Sequence, residues 1–358
     1  MSKTKSLAPA LILALCLSSP LLAAFEETVQ VSSSDLEIRN LIGEIRVEGY
    51  GGSSFEVVVR VDGRDGTRER VEIEQSGSVL EVVFPLEESR TYVYPRLSSD
   101  SKTTFTPGGG DSGWLSEALR AFSNRRITVR GSGSGLELWA DVTVRVPSGG
   151  SLAVLHGVGD ISAGETDGSL NLDSSSGTVA VARHQGGLLV DTGSGRVTVE
   201  DSRGDINVDT GSGRVTLTRC EGDNILVDTG SGRVALEGVS GRSVNVDTGS
   251  GGVEAVGLEA DSIEIDTGSG SVFVELTRMG SGRFRVDTGS GKVELKIPTG
   301  ASAHVTADTG SGGIRLELDD SIRIHRKDRD FVEFEVGGGD ARVELDTGSG
   351  GIRISHSD

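Results

Sequence analysis

Hydrophobic positions in this chain alternate in short runs separated by glycine. In "INVDTGSGRVTLT", Ile206, Val208 and Thr210 share one parity ahead of the glycines, and Val215 and Leu217 share one behind them. Ile225, Val227, Val234 and Leu236 repeat the arrangement, followed by Val244, Val246 and Val253. Apolar residues at every second position over four or five residues predict short strands with one buried face. The five letters DTGSG lie between paired strands and occur eight times, with aspartates at 191, 209, 228, 247, 266, 287, 308 and 346.

Successive intervals are 18, 19, 19, 19, 21, 21 and 38 residues. Upstream the letters decay but the spacing holds, since Asp173 of "DSSSG" lies 18 residues before Asp191 and Leu155 lies 18 before that. A fixed period of this length is the mark of a solenoid. The fold class expected is therefore all-β: a parallel β-solenoid (β-helix or β-roll) with coils of about 19 residues and two short strands per coil. GSG makes one corner, and stretches such as "EDSRGD" and "EGVSGR" make the other. Coils would stack about 4.8 Å apart. A three-sided helix is the alternative geometry, although no six-residue subperiod accompanies the repeat. The last interval, twice the usual length, reads as one further coil with its motif missing around "HRKDRDFVEFEVGGGD".

Three regions follow: a leader at 1–24, a β-rich N-terminal cap at 25–150, and the DTGSG solenoid at 151–358. Lys3 and Lys5, the apolar "LAPALILALCLSSPLL" and the small residues Ala23 and Ala24 form a secretory signal pattern, with cleavage expected after Ala24. Cys16 lies inside it, and Leu15 before it is the wrong residue for lipidation. No transmembrane segment is expected after cleavage, and the destination is the periplasm, the cell surface or the medium. One cysteine, Cys220, then remains, as a small half-buried filler with no disulfide partner. In the cap, Trp114, Leu115, Ala118, Leu119 and Phe122 have helical spacing behind Ser112, which predicts a short helix near 112–125. A cap is needed because a solenoid exposes strand edges at its ends.

Net charge is −19, and residues 151–358 carry 34 acidic against 19 basic side chains. Such a surface repels nucleic acid and anionic lipid. Within the motif, glycine supplies the backbone freedom a corner needs. Asp and Ser can accept from backbone N–H groups there. Thr has the inward parity, which would stack its hydroxyls as a ladder.

Aspartate carries a cost, because neighbouring carboxylates at this spacing repel by about 1 kcal/mol in water. Arg196, Arg214, Arg233 and Lys292, five residues on, are the expected offset, although Gly252, Ser271, Gly313 and Gly351 take that place elsewhere. Ca²⁺ bound between coils by Asp191, Asp209, Asp228, Asp247, Asp266 and Asp287 is the alternative. Calcium asks for six to eight oxygens, more than one Asp per coil supplies.

D-T-G-S also occurs in aspartic proteases, but two carboxylates sharing a proton in one cleft cannot be built from eight evenly spaced copies. The histidines at 156, 184, 304, 325 and 356 show no zinc-ligand spacing and read as surface residues. "HRKDRD" at 325–330 reads as a solvated loop or a docking tip.

The opening "EIRNLIGEIRVEGY", the "VTVRVPSGGSLAV" segment at 142–154 and the glycine-cornered repeats resemble a bacterial family of exported, adhesin-like β-strand-repeat proteins of unknown function. That resemblance implies a β-solenoid outside the cytoplasm, and it brings no catalytic residues. The expected function is a non-enzymatic structural or adhesin-like protein of the envelope or cell surface. The alternatives are a protein that binds or cleaves polysaccharide, or a Ca²⁺-stabilised adhesin. Residues 151–358 contain no Trp or Tyr to serve as a sugar platform. If a protein or glycan partner is bound, Tyr92, Tyr94 and Trp114 are the place to look for it, although sealing the cap is the favoured role of these residues.

Overall fold

The computed structural model describes residues 25–105, 126–318 and 322–357, and every helix-or-strand element among them is a β-strand. The leader, the expected helix at 112–125 and Trp114 lie outside the described residues. Two parallel ladders run the length of the stack. One joins the strands that end in Asp-Thr, from Gly150–Val158 through Asp167–Ser176, Gln185–Ser194, Ile206–Ser212 and Glu221–Thr229 onward. The other joins the short strands after the glycines, including Ile161–Gly164, Val179–Ala182, Val197–Glu200 and Val215–Thr218. Two strands per coil, as the alternation predicts, are what the chain forms.

Register is letter for letter: Asp191 lies beside Asp209, then Asp228, Asp247, Asp266 and Asp287. Because strand side chains alternate, one parity fills the interior in columns. Val190, Val208, Val227 and Val246 form one such column, and Val197, Val215, Val234 and Val253 face it from the other ladder, all buried. One continuous apolar core results.

At the N-terminal end the first coil is Asp35–Ile42 followed by Ile45–Tyr50, within the β-rich region 25–150 and turning at Gly43. It stacks on Gly150–Val158 and Ile161–Gly164, with the intervening chain folded over it. Phe55–Asp62 runs antiparallel between Phe25–Val31 and Trp139–Pro147. The hairpin Glu72–Ser76 and Val79–Val83 covers the end of the Asp-Thr ladder by pairing with Asp35–Ile42. Thr91–Val93, Lys102–Phe105, Ile127–Arg130 and Leu136–Glu137 make a separate four-stranded sheet.

At the opposite end the chain leaves sequential order. The coil Ala341–Thr347 and Ile352–His356 stacks on Arg283–Thr288 and Val293–Ile297. The earlier coil, Ala303–Thr309 with Ile314–Glu317, stacks outside it. The stretch expected to be a coil without its motif is instead an antiparallel hairpin, Ile322–Lys327 with Phe331–Val336, laid on Ala303–Thr309. The "HRKDRD" segment is therefore the end of an edge strand and its turn, not a free loop. Arg323, His325, Arg326 and Lys327 are exposed on that edge, the charged composition that discourages further strand addition.

Leu217 is fully buried in the middle of the stack. Leu217→Ala is expected to destabilise the protein by about 2–5 kcal/mol, measured by denaturant unfolding, with coils at the two ends affected less than their neighbours in hydrogen exchange.

Candidate functional site

The motif's corner is held by threonine and glycine. The inward column at this position runs Asn40, His156, Ser174, Thr192, Thr210, Thr229, Thr248, Thr267, Thr288, Thr347 and Thr309, all buried. From Thr248 on, each hydroxyl accepts from the N–H of the second glycine of its own motif, at 3.0 Å for Gly251 and 3.1 Å for Gly270. It also donates to the equivalent glycine carbonyl of the coil beneath: Thr248 to Gly232 at 3.3 Å, Thr267 to Gly251 at 2.8 Å, Thr288 to Gly270 at 2.9 Å. The chain of bonds follows spatial order, passing from Thr347 to Gly291 at 2.9 Å and from Thr309 to Gly350 at 2.7 Å.

That close stacking explains the second glycine. A Cβ on Gly213 or Gly232 would overlap the carbonyl oxygen of the same glycine one coil below, so no larger residue fits. Positive φ, expected to be the reason, is found at Gly177 (146°) and Gly195 (156°) but not at the later copies. Thr192 and Thr210, where the strand continues through the corner, have buried hydroxyls without a partner among the described residues.

Aspartate does not do the work expected of it. No hydrogen bond joins the carboxylates of Asp191, Asp209, Asp228, Asp247 or Asp266 to the corner backbone, and Arg196, Arg214 and Lys292 make no ion pair with them among the described residues. Among the described residues Asp287 is the motif aspartate with an ion pair, to Arg285 at 2.9 Å, two residues before it. Partial burial at the corner, and then like-charged neighbours, push the carboxyls of Asp209, Asp228, Asp266 and Asp346 above their usual range.

The opposite corner treats charge differently. Glu165, Arg183, Asp201 and Arg219 all occupy the left-handed region, at φ of 57°, 54°, 50° and 52°, and Gly238 and Gly257 follow at 59° and 67°. Here the signs alternate up the column, with Arg183 on Glu165 at 3.0 Å and Arg219 on Asp201 at 2.6 Å. Such conformations cost a non-glycine residue free energy, which the cross-coil pairs offset in part.

Two histidines expected on the surface are buried. His156 has both ring nitrogens against carbonyls, Nδ1 with Asn40 at 3.1 Å and Nε2 with Gly43 at 3.0 Å. A neutral ring has one N–H to give, yet burial keeps it neutral and lowers its pKa to about 4. His184 is second in an inward column of Thr166, His184, Ser202, Cys220 and Val239, with Nδ1 on the Thr166 hydroxyl at 2.9 Å. Burial lowers its pKa as well, and raises that of the Cys220 thiol.

Tyr92 and Tyr94 present no surface, being buried at 0% and 2% exposure. Tyr92 donates to the Ser89 carbonyl at 3.1 Å and meets Phe84 edge-on. Tyr94 lies 5.7 Å from the Trp139 ring, and burial pushes its hydroxyl up to about 12. Arg96 covers both rings and pairs with Glu44 and Asp141, tying the cap to the first coil. These aromatics seal the cap.

Two further histidines, His304 and His325, are brought together with Glu335 where the C-terminal hairpin lies on Ala303–Thr309. Their spacing of 21 residues matches no metal motif, and only antiparallel pairing across a bulge joins them. Among the described residues no helix is long and apolar enough to cross a membrane.

Residues 139–355 match the profile of a family described as Toastrack DUF4097, a domain of unknown function. No curated protein matches the chain. Two solved structures are similar over most of their length. A candidate cell adhesion protein from Clostridium sporogenes is 10% identical, covers 93% of this chain and 100% of its own, and has a TM-score of 0.20. A candidate lipid binding protein from Parabacteroides distasonis is 14% identical, covers 92% of this chain and 96% of its own, and has a TM-score of 0.41. Likeness at those scores carries no argument about function.

Thr248→Val removes a bonded hydroxyl and strands two buried backbone groups, an expected loss of about 2–4 kcal/mol. Thr210→Val removes an unpartnered one and is expected to be neutral or stabilising in the same denaturant measurement. The pH response separates the columns. His156 binds its proton less tightly when folded, so its stabilisation is present above about pH 6.5 and is lost as pH falls toward 4. The raised aspartates act in the opposite sense, favouring the fold as pH falls toward 3.8. His156→Thr is therefore expected to recover about 2 kcal/mol of relative stability at pH 5 against pH 7.5, read as a narrower gap between the two melting midpoints.

Proposed function

The chain belongs to the Toastrack DUF4097 family, and on that premise we propose that it is a non-enzymatic, exported structural protein of the bacterial envelope with an adhesin-like role. The observation that carries this reading is the contrast between the two corners. At 165, 183, 201 and 219 the chain alternates charge and pairs it across coils. At the DTGSG corner it keeps one sign in register and leaves it facing solvent. The fold does not need those carboxylates, since threonine and glycine hold the corner. A repeated, unneutralised acidic column is a display surface, complementary to a basic or cation-bearing partner surface. The leader-like residues 1–24 support export.

The test is binding of the purified chain to whole bacterial cells and glycan arrays, beside a variant with Asp→Asn at 191, 209, 228, 247 and 266. Expected are saturable binding that weakens with NaCl and a variant that binds poorly but melts no lower. Release of products from polysaccharide, or equal binding by the variant, overturns the reading. In the same melts CaCl₂ and NaCl are expected to raise the midpoint equally at matched ionic strength, by screening the column. A Ca²⁺-specific rise reversed by EDTA assigns the column to calcium instead.

A further inference from the structure

We propose that the C-terminal hairpin carries a divalent transition-metal site, fitted to Zn²⁺, in which His304, His325 and Glu335 are ligands and Glu333 braces His304. Three adjacent strands supply the residues: Ala303–Thr309, Ile322–Lys327 and Phe331–Val336. Antiparallel register puts His304 directly opposite Glu335. On the other side of Glu335 the pairing shifts between Ile324 and Arg326, which leaves His325 as the extra residue of a bulge. Bulges re-aim side chains, and this one lets the His325 ring reach the same carboxylate.

The distances suit coordination. Nδ1 of His304 lies 3.6 Å from Oε1 of Glu335, and Nε2 of His325 lies 3.4 Å from Oε2. The two imidazoles stack with centroids 5.8 Å apart. Ligand atoms about 2.0–2.1 Å from a tetrahedral zinc are separated by about 3.4 Å. One ligand atom from each of the three residues falls within 4.8 Å of the others, so small side-chain rotations close the set.

A second feature orients the His304 ring. His304 gives its other nitrogen, Nε2, to Oε1 of Glu333 at 3.0 Å. A carboxylate behind a ligating imidazole orients the ring, and here it turns Nδ1 toward Glu335. Two imidazoles and a carboxylate select a borderline ion such as Zn²⁺ over Ca²⁺ or Mg²⁺. With three protein ligands, one position stays open to water. His304 and Glu335 are half-buried and His325 is exposed, so an ion can enter from solvent. Arg323, 3.5 Å from Oε2 of Glu335, competes for that oxygen and limits the affinity. Bound metal would join the exposed edge strand to the outermost coil, at the end where the chain departs from sequential stacking.

The test is titration of the EDTA-treated, dialysed full chain with Zn²⁺ by calorimetry, with Co²⁺ absorption reporting the ligand set. Expected are one ion per chain, loss of that binding in His304→Ala/His325→Ala, and a 10–100-fold weakening in Glu333→Gln. Arg323→Gln is expected to tighten binding. Metal-free melting of each variant separates lost ligation from lost folding, and His325→Gln alone serves if the double variant melts low. No stoichiometric binding by the parent chain, or unchanged binding by a folded variant lacking the imidazoles, overturns the site.

Discussion

The structure depends on how closely successive coils approach at the GSG corner. There the carbonyl oxygen of one glycine occupies the space a side chain would need on the next. Only glycine fits, and the contact fixes the vertical position of each coil on the one below. The threonine hydroxyl then spans the step, taking an N–H from its own coil and serving the carbonyl beneath. Register follows from that clamp, and with it the alignment of valine over valine and of aspartate over aspartate.

Like-charge stacking is therefore a consequence of the clamp, tolerated by an exposed column that water and salt screen. The interior has no such tolerance. Along the N-terminal half of this column, buried polar atoms go partly unserved: Oδ1 of Asn40, Oγ of Ser174 and Oγ1 of Thr192 and Thr210 have no hydrogen-bond partner among the described residues. The bonded threonine clamp belongs to the later coils, where the strand ends at the motif.

Much of this was legible in the sequence. Period-two alternation at Ile206, Val208 and Val215 gave strands of the right parity, and the 18-to-21-residue interval gave the coil. Less was legible in the chemistry. The motif reads as an aspartate turn, but the bonded residue is the threonine, whose inward parity was the available signal. His156 and His184 looked exposed because histidine is usually polar surface, and stacking register alone places them in buried columns. His304, His325 and Glu335 meet through strand order and a bulge, neither of which a periodicity can encode. The doubled interval before Asp346 reads as a degenerate coil, whereas the chain forms a hairpin and leaves sequential order there, a difference that spacing does not encode.

The displaced final coil bears on how the chain can mature. Coils from 150 to 297 can add one at a time, each on an edge already formed, as repeat arrays do. The coil at 303–317 cannot, because its neighbour is 341–356 rather than the coil just before it. A chain emerging N-terminus first must hold that segment undocked, or dock it against 283–297 and later release it, until residues 341–356 arrive. Completion of this end is thereby coupled to delivery of the whole chain, and a product cut short before residue 341 keeps its outer coil without a seat.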